Sequence, residues 1–204
     1  MFLTHNRFVN HGTAVRETTM KVLQIDSSIT GSESVSRQLT AAIVQHLREL
    51  TPSLELVYRD VAAHPLPHQA PDSAASENRA QALEEFLAAD LVVLGAPMYN
   101  FSIPSQLKTW VDCLAAPGKT FNYTAAGVEG LAGAKKLIVA SSRGGIYSEG
   151  SPAAPMDHQE SYLRGFFGFI GLTDVLVVRA EGVKMGPDGR EQALETALGQ
   201  IAVL

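Results

Sequence analysis

The sequence predicts a three-layer α/β domain built on a five-stranded parallel sheet, with the strands in the order 2-1-3-4-5. Three observations carry this. Short apolar runs alternate with amphipathic stretches of helical period along most of the chain. Three of the runs, at 91–96, 137–140 and 175–178, are apolar on both faces. Strands of that kind belong in the middle of a helix-covered parallel sheet. The alternation gives five strands and five helices, and right-handed crossovers leave few ways to arrange them.

The elements follow in order. Residues 22–26 form the first apolar strand, and a polar loop, Ser27-Ser28-Ile29-Thr30-Gly31-Ser32-Glu33, follows it. Val35, Leu39, Ile43, Leu47 and Leu50 recur at steps of four and three, so 34–50 is a helix. Ser34 or Ser32 is its N-cap. Pro52 ends it, and 54–58 is strand two. Pro65, Pro67 and Pro71 keep 64–72 irregular. Helices are expected at 77–89, 105–114 and 160–169. The last helix spans 190–204, with Leu194, Leu198, Ile201 and Leu204 as its buried stripe. Five βα units fill the flavodoxin-like order without remainder.

Composition bounds the function. The chain has 204 residues, enough for one domain with a large core. A net charge of −5 argues against a nucleic-acid binder, which would normally carry a basic patch. A single cysteine, Cys113, excludes an intrachain disulfide and a cysteine zinc site, and it fits a reducing compartment. No apolar run reaches the ~18–20 residues that a membrane span needs. Residues 1–19 lack the apolar block of a signal peptide and are read as a disordered extension, an upstream start or a cloning remnant. The domain proper is 20–204, and the default location is the cytoplasm.

In open parallel sheets ligands bind beyond the carboxyl ends of the strands, at the switch point between strands one and three. Three loops there have unusual composition. The first carries Ser27, Ser28, Thr30, Gly31, Ser32, Ser34 and Ser36 and opens a helix. Hydroxyls and unpaired helix N–H groups suit an anion. The loop has no P-loop lysine and no G-x-G-x-x-G, which weighs against NTPase and Rossmann readings. The second is Ala96-Pro97-Met98-Tyr99-Asn100-Phe101-Ser102-Ile103-Pro104, two prolines around residues fit to face a wide apolar ring. The third is Ser141-Ser142-Arg143-Gly144-Gly145-Ile146-Tyr147, where two glycines let backbone N–H groups approach a ligand and Arg143 adds a positive charge.

At these three loops the sequence resembles the bacterial azoreductases, FMN-dependent NADH:quinone oxidoreductases that also reduce azo compounds. The resemblance rests on Ser27-Ser28, Ser34-Val35-Ser36, Ala96-Pro97-Met98-Tyr99-Asn100-Phe101 and Ser142-Arg143-Gly144-Gly145, with support from Thr120-Phe121-Asn122-Tyr123-Thr124 and Ala180-Glu181-Gly182. It runs from Met20 to the end of the chain. It implies bound FMN, NADH or NADPH as donor, quinones and azo compounds as acceptors, ping-pong turnover and a homodimer with sites at the interface. By the same resemblance Ser28, Ser34 and Ser36 with the Val35 backbone hold the phosphate. Met98, Tyr99, Asn100 and Phe101 line one edge of the flavin ring, and Ser142, Arg143, Gly144 and Gly145 line its pyrimidine side. Tyr123, Phe166 and Phe167 are aromatic walls of the second-substrate pocket. No side chain is required as a catalytic group, because the flavin carries the chemistry.

Other classes are weighed against this. A flavodoxin-type electron carrier would favour a shorter chain, without the segment 120–130, and would barely oxidise NADH by itself. A receiver-type signalling domain needs an acidic cluster at the ends of strands one and three, and strand three ends in Gly95-Ala96-Pro97. His64, His68 and His158 are read as surface residues, and no metal site is expected. Cys113, Trp110 and Leu107 share a helix face and are read as core or dimer contact.

Overall fold

The computed structural model describes residues 19–68 and 77–204. The expected N-terminal extension, up to residue 18, and positions 69–76 of the proline-rich stretch and the linker after it lie outside the described residues. The chain forms β1 (Lys21–Asp26), α1 (Val35–Leu50), β2 (Glu55–Asp60), α2 (Glu77–Ala88), β3 (Leu91–Pro97), α3 (Ser105–Leu114), β4 (Phe121–Thr124), β5 (Gly127–Gly130), β6 (Lys136–Ser142), α4 (Glu160–Phe169), β7 (Val175–Ala180) and α5 (Gly189–Ile201). The main sheet is parallel throughout, in the order β2-β1-β3-β6-β7. Counted within the sheet this is the expected 2-1-3-4-5.

The sheet separates two apolar layers. Alternation along β1 and β3 sends Leu23, Ile25, Val92, Leu94 and Ala96 to one face. There they meet Phe86 of α2, Trp110 of α3 and Leu163 of α4. Val22, Leu91 and Val93 turn to the other face, against Leu39 and Ile43 of α1 and Ala193 and Ala197 of α5. Trp110, Leu107 and Cys113 are all buried in the first layer.

Three expectations need correction. The run at 175–178 lies in an edge strand, β7, and Leu176 is 41% exposed. Both its faces are still apolar because Val175 and Val177 pack on the first layer and Val178 and Ala180 on the second. The buried side of α5 is Gly189, Ala193, Ala197 and Ile201, while Leu198 is 47% exposed. Small residues there let α5 lie close to the sheet; Ile201 is buried as expected, Leu194 and Leu204 pack at the margin of the core, and Leu198 faces outward. The segment 120–130 also folds into an antiparallel hairpin, β4–β5. Its turn residues, Ala125-Ala126, lack the Asn-Gly type signal that marks a hairpin. The hairpin is seated by backbone contact: a Cβ at Gly130 would lie 2.1 Å from the Gly171 nitrogen.

Candidate functional site

The loops after β1, β3 and β6 converge at the carboxyl edge of the sheet around a cavity of about 450 Å³. That volume is within the range of small-molecule sites. At one end lies the serine loop. Ser34 caps α1, its Oγ accepting the Arg37 N–H at 3.3 Å. Ser36 Oγ lies 3.1 Å from Ser34 Oγ and is fully buried behind it. The first-turn N–H groups of Val35 and Ser36 have no acceptor within the helix. Ser28 Oγ is 3.0 Å from Thr30 Oγ1 and 3.1 Å from the Tyr99 hydroxyl.

The loop after β3 is a tight reversal. Tyr99 and Ser102 exchange both backbone hydrogen bonds, 2.9 and 3.1 Å. The two residues between them, Asn100 and Phe101, hold φ of 48° and 70°. That is the two-residue turn with both centres left-handed, normally an Asn-Gly device. A phenylalanine in this region is strained, and strained backbone gathers at functional sites. The strain presents the Phe101 ring at the cavity, edge-on to Tyr147 at 6.2 Å between centroids.

The third wall is the loop after β6. The N–H groups of Gly144 and Gly145 donate to no other group among the described residues. Gly145 is crowded, since a Cβ there would sit 3.3 Å from the Tyr147 ring. Arg143 differs from expectation. Its side chain is buried and turned into the protein. It donates to Ser141 Oγ at 3.0 Å, Gln159 Oε1 at 3.1 Å, Glu181 at 3.1 Å and Glu160, and pairs with Asp157 at 3.0 Å. Its charge is spent on three carboxylates, so it lines the cavity as framework. The cations that reach the cavity are Lys184 and Arg190, from the segment after β7, opposed there by Glu33. Sequence reasoning missed Val183, Lys184 and Arg190. The same carboxyl-edge rule could have found them, because the loop after β7 also opens at that edge. Backbone bonds from Val183 to Arg143 and from Lys184 to Gly144, both 3.0 Å, tie the two loops together.

Of the expected cofactor residues, Ser28, Ser34, Val35, Met98, Tyr99, Asn100, Phe101, Ser142, Arg143 and Gly144 line this cavity. Ser36 stands behind Ser34, and Gly145 lies next to Gly144 in the same loop. Free N–H groups and serine hydroxyls at one end, with Pro97, Met98, Tyr99 and Phe101 along the side, fit a flat ring bearing a phosphate tail.

The comparisons agree with that chemistry. Residues 20–204 match a family described by its flavodoxin-like fold. Among solved structures, azoreductase from Bacillus anthracis str. Sterne superposes with a TM-score of 0.82 at 32% identity, covering 91% of this chain and 98% of that one. The FMN-dependent NADH:quinone oxidoreductase of Rhizobium meliloti is 56% identical over 198 residues, which is 90% of this chain and 96% of that protein. The Methylocella silvestris enzyme of the same name is 54% identical over 194 residues, 87% and 95%. The chain belongs to this family of FMN-dependent NADH:quinone oxidoreductases.

Its presumed aromatic walls are placed differently from expectation. Phe167 is fully buried in the core beside Phe86 and Phe166, with centroids 6.5 and 5.5 Å away, and cannot line a pocket. The helical period of α4 sends it inward. Phe166 is half-buried against Tyr162, and Tyr123, 75% exposed on the hairpin, packs edge-on against Phe121. Neither lines the cavity within this chain.

Behind the serine loop lies an acidic pair with opposite titration. Burial pushes the Asp26 carboxyl up, more than its Thr40 hydrogen bond and the Arg37 charge pull it down. Burial also raises Asp60, but hydrogen bonds from Arg37, Ala63 and Ala62 outweigh it and hold that carboxyl below its usual range. Asp60 therefore adds stability above the unfolded carboxylate value and loses it as pH falls. Asp26 does the reverse: its stabilising share is present in acid and lost as pH rises through its raised value. Asp26→Asn should consequently gain melting temperature relative to the wild type as pH is raised from about 4 to about 7. Thermal melts of both proteins across that range check this, and a flat or falling difference would contradict it.

Proposed function

We propose that this chain is an FMN-dependent oxidoreductase that passes two electrons from NADH or NADPH to quinones and cleaves azo bonds to amines, in ping-pong fashion. The observation that carries the reading is the cavity itself. It joins an anion end at the start of α1 to an apolar wall built by the strained turn of Asn100 and Phe101. The names of the relatives support the same donor, cofactor and acceptor.

FMN, when bound, supplies the hydride chemistry. The chain's own residues bind and orient it. The N–H groups of Val35 and Ser36 and the hydroxyls of Ser28 and Ser34 hold the phosphate, with Ser36 backing Ser34. Met98, Tyr99, Asn100 and Phe101 fix the ring plane, and the free N–H groups of Gly144 and Gly145 offer fixed dipoles where negative charge develops on reduction. Ser142 and Arg143 complete that edge, Arg143 through its backbone. One open cavity used in turn by donor and acceptor accounts for ping-pong turnover.

The assembly proposed is a homodimer with shared sites. Ile29, Phe101, Tyr123, Ile146 and Met156 are exposed. A two-fold partner would cover these apolar groups. In that assembly Tyr123 and Phe166 could wall the partner's site. No helix among the described residues is long and apolar enough to cross a membrane, and the proposed location is the cytoplasm.

Size-exclusion chromatography with light scattering and in-line absorbance tests both parts. Flavin should co-elute with a species of twice the 21.8 kDa chain mass, and the cofactor released on denaturation should be FMN. FAD as the main species, or a fully active monomer, would contradict the proposal.

A further inference from the structure

We propose that Arg37 is a positioning residue for the FMN phosphate, acting through the Ser28 peptide rather than by touching the cofactor. The inference rests on the FMN reading above and assigns a role to a side chain outside the cavity wall.

The geometry is a two-sided clamp. Arg37 lies in the first turn of α1, and its guanidinium donates to the Ser28 carbonyl through Nη2 at 2.8 Å and Nε at 3.3 Å. The same guanidinium grips Asp60 in bidentate fashion, at 2.6 and 2.9 Å. Asp60 is the last residue of β2, and its Oδ1 also accepts the N–H groups of Ala62 and Ala63 at 3.0 and 2.9 Å. The carbonyl is thus tied to the edge of the sheet.

The opposite end of the same peptide is tied elsewhere. The Ile29 N–H donates to the Tyr99 hydroxyl at 3.2 Å, and that hydroxyl is also 3.1 Å from Ser28 Oγ. In a trans peptide the C=O and N–H point in opposite directions. Holding the oxygen at Arg37 therefore keeps the N–H and the Ser28 hydroxyl on the Tyr99 side, where the loop faces the cavity. Without the clamp only the Tyr99 bond opposes a flip that would turn the oxygen toward a doubly charged phosphate, which that oxygen would repel.

Arg37 does this without offering its charge to the site. It is absent from the cavity lining and faces a separate hollow on the far side of the loop with Asp26, Tyr58 and Asp60. Asp60 neutralises it, and Asp26 lies 3.7 Å away. What it contributes is the bidentate fork, which lysine cannot reproduce.

The test compares FMN with riboflavin, which lacks the phosphate, by quenching of flavin fluorescence on titration into apoprotein. Wild type should prefer FMN. In Arg37→Gln the FMN-to-riboflavin affinity ratio should fall roughly tenfold, the scale of a lost hydrogen bond to a charged group, while riboflavin affinity holds. Arg37→Lys should fall nearly as far, because charge alone does not set the peptide plane. Asp60→Asn should shift the ratio the same way by a smaller factor. An unchanged ratio in Arg37→Gln, full rescue by Arg37→Lys, or an equal loss for both flavins would overturn the proposal. A wild-type chain that binds both flavins equally would overturn instead the placement of the phosphate on which the proposal stands.

Discussion

Arg143→Met is expected to cost about 3–5 kcal/mol of folding stability, the range for removing one partner of a buried ion pair. The side chain is fully buried and holds Asp157, Glu160 and Glu181 at once. Methionine fills much of the space but leaves three carboxylates with one remaining cation, Arg179, which grips Glu160 in bidentate fashion. The loss should spread to the site. Glu181 also accepts the Tyr147 N–H at 2.8 Å, and Gln159, which accepts from Arg143, donates to the Ala96 carbonyl at 2.7 Å. The loops after β3, β6 and β7 would loosen together. Urea unfolding measures the cost. A change below about 1 kcal/mol would mean that the cluster is worth no more than a surface pair.

Ser36→Ala is expected to weaken FMN binding roughly ten- to a hundredfold. Its hydroxyl is fully buried and shares one hydrogen bond with Ser34. With that bond in place, one of the two hydroxyls keeps a proton that it could donate to a phosphate bound there. Alanine leaves Ser34 to cap α1 and to serve the ligand alone. The fold should survive, since Ser34 still accepts from Arg37, so circular dichroism should be unchanged while FMN titration shows the loss. An unaltered affinity would move the phosphate away from the start of α1.

Much of this was legible in the sequence because local signals and tertiary packing agreed there. The steps of four and three from Val35 to Leu50 gave α1, and the serine before it became the N-cap. The bounds expected for α3 and α4 match those observed. The unusual loops could be placed because a parallel sheet puts all its βα turns on one edge. What escaped depends on distant partners. Nothing near Arg143 in sequence shows that Asp157, Glu160 and Glu181 will surround it, so its charge looked free. Phe166 and Phe167 are adjacent aromatics, and only the rotation of α4 against the sheet decides which is core. The alanines and glycine of α5 carry little apolar signal, yet close packing on the sheet puts them at the centre of the buried face, with Leu194 and Leu204 at its margin. Lys184 and Arg190 reach the cavity only because β7 sits next to β6.

Two-electron transfer in two half-reactions is decided by what happens when the FMN-loaded protein meets its donor without an acceptor. Under anaerobic conditions, one equivalent of NADH mixed with the yellow protein in a stopped-flow instrument should bleach the flavin's long-wavelength band completely. A quinone added afterwards should restore the band, with one hydroquinone formed per flavin. Flavin that stays yellow until quinone is present, or that returns by single-electron steps with quinone radicals released, would contradict two-electron transfer in two separate half-reactions.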